Sequence, residues 1–534
     1  MDARATRRHF LYGGAAAGAG LWLPFDVLDA DARGRRKVPL ARSGNFATGV
    51  MSGDPSPSAV TLWTRLGEQP RDRVRVELEV ARDPEFRRVV LRRLIPTRRS
   101  RDHTVKVRIG GLRPDRRYFY RFSTKTTTSD VGRTQTAPAP DSRRAVKVGY
   151  FACQSFTTGF FGAYRALLAE DPDVVICGGD YIYERVFEGY EGPRQDTIGA
   201  NGDSLATTVA DYRAKYRLYR TDADLRELHR LVPLVPQWDD HEVADNYVGT
   251  LPRGETGTPD DGDERETFDR RRINAGWKAW HEYMPARRFG KGFRTYRSLR
   301  MGRTAEIFMC DSRSYRDDQP CGGGSFTRCE DEAPREYLGQ RQLGWLKGGL
   351  ERTPSTWKLI GNQLMIMPFE VSAGVKVEVD SWQGYPAQRT DLLTHLQDRE
   401  IDDVVFLTGD IHTFFAGSVL RDGTEGPAVA SELVGGSTTS PGTAEVLAET
   451  AGGVPPELIE PLSDQGVPAT NPWIDYADTR THGCALLELG PDEVRARYLG
   501  SADIKTLEGS RTVRDIADLR IARGTAGVNV ASRS

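Results

Sequence analysis

Long apolar runs, charge of one sign and cysteine are all scarce in this sequence of 534 residues. No apolar stretch is long enough to persist as a transmembrane helix in a mature chain, so no integral membrane segment is expected. Lys and Arg number 74 against 75 Asp and Glu, a formal net charge of −1. That balance offers no bulk attraction to nucleic acid or to an anionic membrane, and no specific nucleic-acid partner is expected. There is no internal repeat and no long low-complexity tract. Of six cysteines, Cys321 and Cys329 flank a Gly-rich loop and can close a small disulfide in an oxidising compartment. No His or Cys pair lies near enough to make a zinc clip of them. Cys177, Cys310 and Cys484 sit in apolar strand-like runs and read as packing residues. What is present, 38% hydrophobic and 28% charged residues, suits a globular protein of two or three domains.

The N-terminus reads as an address. Arg7-Arg8-His9-Phe10-Leu11 precedes a weakly apolar, Gly/Ala-rich stretch from Tyr12 to Pro24, and Ala30-Asp31-Ala32 offers a cleavage site. Residues 1–32 therefore read as a twin-arginine signal peptide. The expected location is periplasmic or extracellular, with the twin-arginine export machinery as a partner.

Two textures follow. Residues 40–140 show period-2 runs (59–65, 74–80, 103–107, 118–122) separated by Pro, Gly and Asp turns, the pattern of a small β-sandwich. Leu112-x-Pro114 followed by aromatic alternation resembles a fibronectin-type module. From 145 to 525 the pattern is α/β. Apolar runs at 146–152, 174–177, 234–238, 357–360 and 404–407 end in polar clusters, where α/β sheets assemble their sites. Residues 200–232 read as helical, 249–266 as a surface loop, and Gly490-Pro491-Asp492 as the turn of a hairpin.

The strand ends carry the chemistry. Phosphate-ester hydrolysis needs charge neutralised on the phosphoryl oxygens and a hydroxide at moderate pH, which two cations sharing a carboxylate supply. Gly179-Asp180-x-x-Tyr183 places a bridging carboxylate after a flexible glycine, with a phenol one turn later. Asp410-x-His412 puts two donors on the same side of extended chain. Trp238-Asp239-Asp240-His241-Glu242 packs carboxylates and an imidazole into one loop. Asp240 is the expected ligand of a second metal, with Asp239 competing. His241 is expected to contact the phosphate or protonate the leaving oxygen. Asn362 offers an amide oxygen and Cys153 a thiolate that a cation would stabilise. Arg313 or Arg316 is a candidate phosphate contact.

In order, Phe151-Ala-Cys-Gln154, Gly179-Asp-Tyr-Ile-Tyr-Glu184, Trp238-Asp-Asp-His-Glu-Val243, Cys310-Asp-Ser-Arg-Ser-Tyr-Arg316, Gly361-Asn-Gln363, Asp380-Ser-Trp-Gln-Gly-Tyr-Pro386 and Thr408-Gly-Asp-Ile-His412 resemble the motif set of the alkaline phosphatase D family. The resemblance implies a calcineurin-like metallophosphatase β-sandwich flanked by helices, preceded by the small all-β domain. It implies Fe3+ held by Cys153, Asp180, Tyr183 and His412. It implies Ca2+, or another divalent ion, held by Asp180, Asp240, Asn362 and Asp410, with Asn246 on a further calcium. Cys310 departs from the plain apolar residue expected there, and His281 falls in a family-like segment without an assigned role. The expected activity is hydrolysis of small-molecule, lipid or polymer phosphate esters by a metal-bound hydroxide, as an alkaline phosphatase or phosphodiesterase. The alternatives are a phospholipase D-like phosphodiesterase, and a non-catalytic surface binding protein with a degenerate site.

Overall fold

The structure, a computed structural model, describes residues 38–533 apart from 188, 249–269, 290–292, 324–327, 330–332 and 373. The signal-peptide segment and the expected 249–266 loop lie outside the described residues.

The apolar runs are continuous because their strands are buried on both faces. In Val174–Cys177, Val174 and Ile176 point into one core while Val175 and Cys177 point into another. The same period of two splits Val404–Thr408: Val405 and Leu407 face inward, Val404 and Phe406 outward. The shared inner core lies between a ten-stranded and a seven-stranded sheet. Val148, Ile176 and Val235 from the first meet Ile307, Leu359 and Val405 from the second. Helices cover the outer faces. Val209–Tyr219, Ala223–Leu231 and Arg270–Tyr283 pack with Phe151 and Val175 of the ten-stranded sheet. Gly339–Arg352 and Pro386–Asp398 pack with Phe308 and Ile360 of the other. The expected sandwich flanked by helices is therefore what the chain forms.

The five strands singled out in the sequence divide between the sheets. Val146–Phe151, Val174–Cys177 and Leu234–Pro236 run parallel as neighbours in the ten-stranded sheet. Trp357–Gly361 and Val404–Thr408 run parallel in the other, flanked in parallel by Ala305–Met309 and Ala428–Gly435.

The N-terminal strands form a second sandwich around Val60, Leu62, Val76, Leu78 and Tyr120. One of its sheets has four strands; the other, Val50–Ser56, Ala59–Arg65 and Thr104–Gly110, continues the ten-stranded sheet. The join is the parallel register Gly53↔Leu234. Gly53 is obligatory there, since a Cβ would lie 2.4 Å from the Leu234 carbonyl oxygen. A buried ion pair, Asp54 with Arg297 at 2.7 Å, and a Trp63 indole N–H donated to the Glu282 carbonyl at 2.7 Å fasten the same seam. Cys321 and Cys329 form a disulfide, and Cys153, Cys177, Cys310 and Cys484 are free and buried.

Candidate metal centre

The parallel strands stop at one rim, and the loops that leave them are bent sharply. Cys153, Asp180, Asn246, Asp410 and His412 all have φ between 49° and 67°. Left-handed backbone at non-glycine residues costs on the order of 1–2 kcal/mol each, and such outliers collect at functional sites. Their side chains meet beside a cavity of ≈ 230 Å³ whose lining includes Asp180, Asp240, His241, Asn246, Asp410 and His412.

Three donor sets assemble there: Cys153, Asp180 and His412; Asp180, Asp240 and His241; Asp239, Asp240 and Asp410. Within each set, one ligand atom per residue lies within 4.8 Å of the others. Asp180 belongs to two sets, the place of a bridge. Tyr183 joins the first, its hydroxyl 3.0 Å from His412 Nε2 and 3.4 Å from Asp180 Oδ2. His412 Nδ1–H donates to the Pro441 carbonyl at 3.0 Å, which leaves Nε2 with its lone pair toward the cluster. Burial and the nearby His241 hold His412 down to about 4, so it is a neutral donor.

The electrostatics fit a cation. Burial, outweighing the attraction of His241 and reinforced by Asp240 and Asp239, pushes Asp180 well above the carboxylate range. Burial, Glu378 and Asp239 do the same to Asp410. Burial raises the Cys153 thiol, helped by Asp180 and Asp410. Among the described residues, neither Oδ1 of Asp180 nor Oδ1 of Asp240, both buried, has a hydrogen-bond partner. Carboxylate, thiol and phenol crowded out of water resist their own charge, a bound cation reverses those shifts, and the neutral imidazole of His412 is already in the form that binds one. These residues fit a metal centre.

Comparison with known proteins agrees with this geometry. The family model described as "PhoD-like phosphatase" matches residues 148–498, and that of its N-terminal domain matches 33–138. The chain belongs to the PhoD-like phosphatase family. Alkaline phosphatase D of Bacillus subtilis is 34% identical over 455 residues, covering 82% of this chain and 76% of that protein. A solved structure of PhoD superposes with a TM-score of 0.78 at 30% identity, covering 92% of this chain and 93% of that one. Purple acid phosphatase from yellow lupin seeds shares the fold, with a TM-score of 0.52 at 13% identity over 89% of this chain and 74% of that one. The motif resemblance thus holds, and with it the reading of a phosphoric ester hydrolase.

Not every residue expected in this PhoD-like site reaches the cavity wall. Arg313 is fully buried behind it. Its guanidinium donates to Asp239, to Asp380 and Asn246 at 2.9 and 3.2 Å, and to Asp410 at 2.7 Å. Arg316 is buried beside it, donating to the Asp380 carbonyl. Asn362 sits deep, its Oδ1 accepting from the Trp382 indole at 3.0 Å. Asn246 lines the cavity and donates its backbone N–H to Asp240 Oδ2 at 2.6 Å. His281 packs against Trp238 and Trp280, away from the centre.

The PhoD-like scaffold also supplies residues that the sequence did not single out. Glu184 Oε2 lies 2.8 Å from His241 Nδ1, and its other oxygen accepts the Asp245 N–H. Burial opposes the charge on His241, but Asp240, Glu184 and Asp180 together hold its proton well above the usual range. Ser440 Oγ lies 2.6 Å from the Tyr183 hydroxyl and 2.9 Å from the Cys153 carbonyl. Glu378 lines the cavity beside Asp410, and Asp380 pairs with Arg313 at 2.9 Å. Glu184 stands inside a quoted motif, so its position was signalled if not its task. Ser440, after the strand Ala428–Gly435, carried no signal beyond following an apolar run.

Proposed function

We propose that this chain is an exported phosphoesterase whose two-metal site hydrolyses phosphate esters. Cys153, Asp180, Tyr183 and His412 hold Fe3+. Asp180, Asp240, Asn362 and Asp410 hold Ca2+ or another divalent ion, and Asn246 serves a further calcium. The observation that carries the reading is Asp180, shared by two donor sets and with one oxygen unpartnered among the described residues. Cations bound there neutralise phosphoryl charge and supply hydroxide at moderate pH. The chain's own groups do the rest. Glu184 fixes His241 through Nδ1, leaving Nε2 to protonate the leaving oxygen. Arg313, with four acceptors around it, fits a counter-ion behind the carboxylates better than the phosphate contact expected from sequence. Residues 145–525 form the catalytic domain and 40–140 a β domain that buttresses it. The Arg7-Arg8 segment supports twin-arginine export, and the Cys321–Cys329 disulfide supports an oxidising destination. Among the described residues, no helix is long and apolar enough to cross a membrane.

A specific observation favours diesters over monoesters. Among the described residues, no Lys or Arg lines the cavity, while Val377, Ile411, Pro441, Val446 and Leu447 do. A wall partly apolar, whose cationic side chain among the described residues is the protonated His241 rather than a Lys or Arg, suits a singly charged ester with a second substituent better than a dianion. Purified protein should contain iron by elemental analysis and absorb visible light, and should cleave bis-p-nitrophenyl phosphate at least as well as p-nitrophenyl phosphate. Asp180→Asn should lower turnover of both by at least a thousandfold while leaving the folded protein intact. Near-normal turnover would remove the bridging role, and zinc alone in a colourless protein would remove the iron.

A further inference from the structure

The two halves of the donor cluster hang from different loops, and one carboxylate is bonded to both. Glu242 Oε2 accepts the Asp239 N–H at 2.9 Å and the Asp180 N–H at 3.2 Å. Its Oε1 accepts the Tyr181 N–H at 2.9 Å. The side chain is wholly buried. Beside this carboxylate the loops touch: a Cβ on Gly179 would lie 2.5 Å from the Asp239 Cβ. The far side of the first loop is anchored as well, for the Tyr181 hydroxyl meets His229 Nε2 at 2.7 Å and the Arg220 Nε–H at 3.2 Å.

The sheet alone does not set the distance between Asp180 and Asp240. Their strands, Val174–Cys177 and Leu234–Pro236, pair as far as Cys177 and Pro236, and two loop residues intervene before Asp180 and three before Asp240. We infer that Glu242 is a positioning residue that fixes the separation of the two donor sets sharing Asp180. It thereby sets the affinity for the second cation, the one held by Asp240. The inference rests on the two-metal reading above.

Hydrogen-bond arithmetic makes it testable. Three N–H donors need both oxygens of the side chain as acceptors. Glu242→Gln replaces one oxygen with an NH2 that faces a donor. Glu242→Asp keeps both carboxyl oxygens but is one methylene too short to span both loops. Gly179→Ala attacks the same contact by another route, pushing on Asp239 and straining a backbone held at φ 130°. Each is made in the full chain, stripped of metal and titrated with Co2+ alone. A thiolate–cobalt absorption band reports the ion at Cys153, and equilibrium dialysis counts all bound ions.

The expected result is a first ion bound within about threefold of wild type and a second weakened about 10- to 100-fold. Turnover of p-nitrophenyl phosphate should return as Co2+ is raised. Glu242→Asp keeps the test alive if Glu242→Gln does not fold. Folded variants that bind both ions as wild type does, or lose both in parallel, overturn the inference alone. A wild-type chain that binds a single ion overturns the two-metal reading, and this inference with it.

Discussion

Arg313 carries its charge where water does not reach. Four carboxylates, Asp239, Asp240, Asp380 and Asp410, lie within 3.6 Å of its nitrogens. The guanidinium offsets a negative cluster that would otherwise protonate or push apart. Arg313→Met leaves those carboxylates facing one another. In the metal-free protein it should lose about 3–5 kcal/mol of stability, read from a denaturant midpoint. Added divalent cation should restore part of the loss, because a ligand bound only by the folded state stabilises it. An unchanged midpoint with a raised KM would return Arg313 to the substrate. At this scale the sequence was most legible where chemistry follows a strand. Asp180, Asp410 and His412 stood out because Gly-Asp ends an apolar run. Glu242 was visible only as a member of an acidic loop. Its three acceptor bonds run to backbone N–H groups of two loops, and no residue type announces that.

Among the elements, the helix Thr443–Thr450 bears most directly on the site, since Val446 and Leu447 on it form one wall of the cavity. Its start is fixed by Glu445, whose carboxylate accepts the Gly442 N–H at 2.7 Å and lies 3.1 Å from His482 Nε2. Burial opposes the charge, but His482 and the Gly442 N–H hold Glu445 down to about 2. A depressed carboxylate adds stability that is present above its unfolded value and lost as pH falls through its folded one. The window therefore runs from about 4.5 down to about 2. Glu445→Gln should cost about 2–3 kcal/mol at pH 7, and the difference from wild type should shrink as pH drops through that window. A pH-independent difference would mean that only packing was lost. The strands were legible through period-2 alternation and two-sided burial. Their partition between two sheets was not, because parallel pairing is set by partners distant in sequence. Val89–Arg98 was also hidden, since its arginines and Pro96 blur the alternation.

For the molecule as a whole, the seam between the sandwiches decides how far the N-terminal strands can be treated apart. The small sandwich was legible as a module, but its enrolment in the main sheet was not. Gly53 pairs with Leu234, 181 positions further along the chain. The signal is one glycine pressed against a carbonyl. Gly53→Val should lower stability by about 1–3 kcal/mol through overpacking. It should also expose the 138–145 connection to protease; cleavage no faster than in wild type would mean that the seam tolerates the added bulk.

The strand that Gly53 abuts, Leu234–Pro236, runs on into Asp239 and Asp240. One strand therefore joins the ancillary module to the loop that carries the second set of carboxylates. Metal content of the Gly53→Val protein, alongside its stability, is therefore a quantity that a change at this edge should alter.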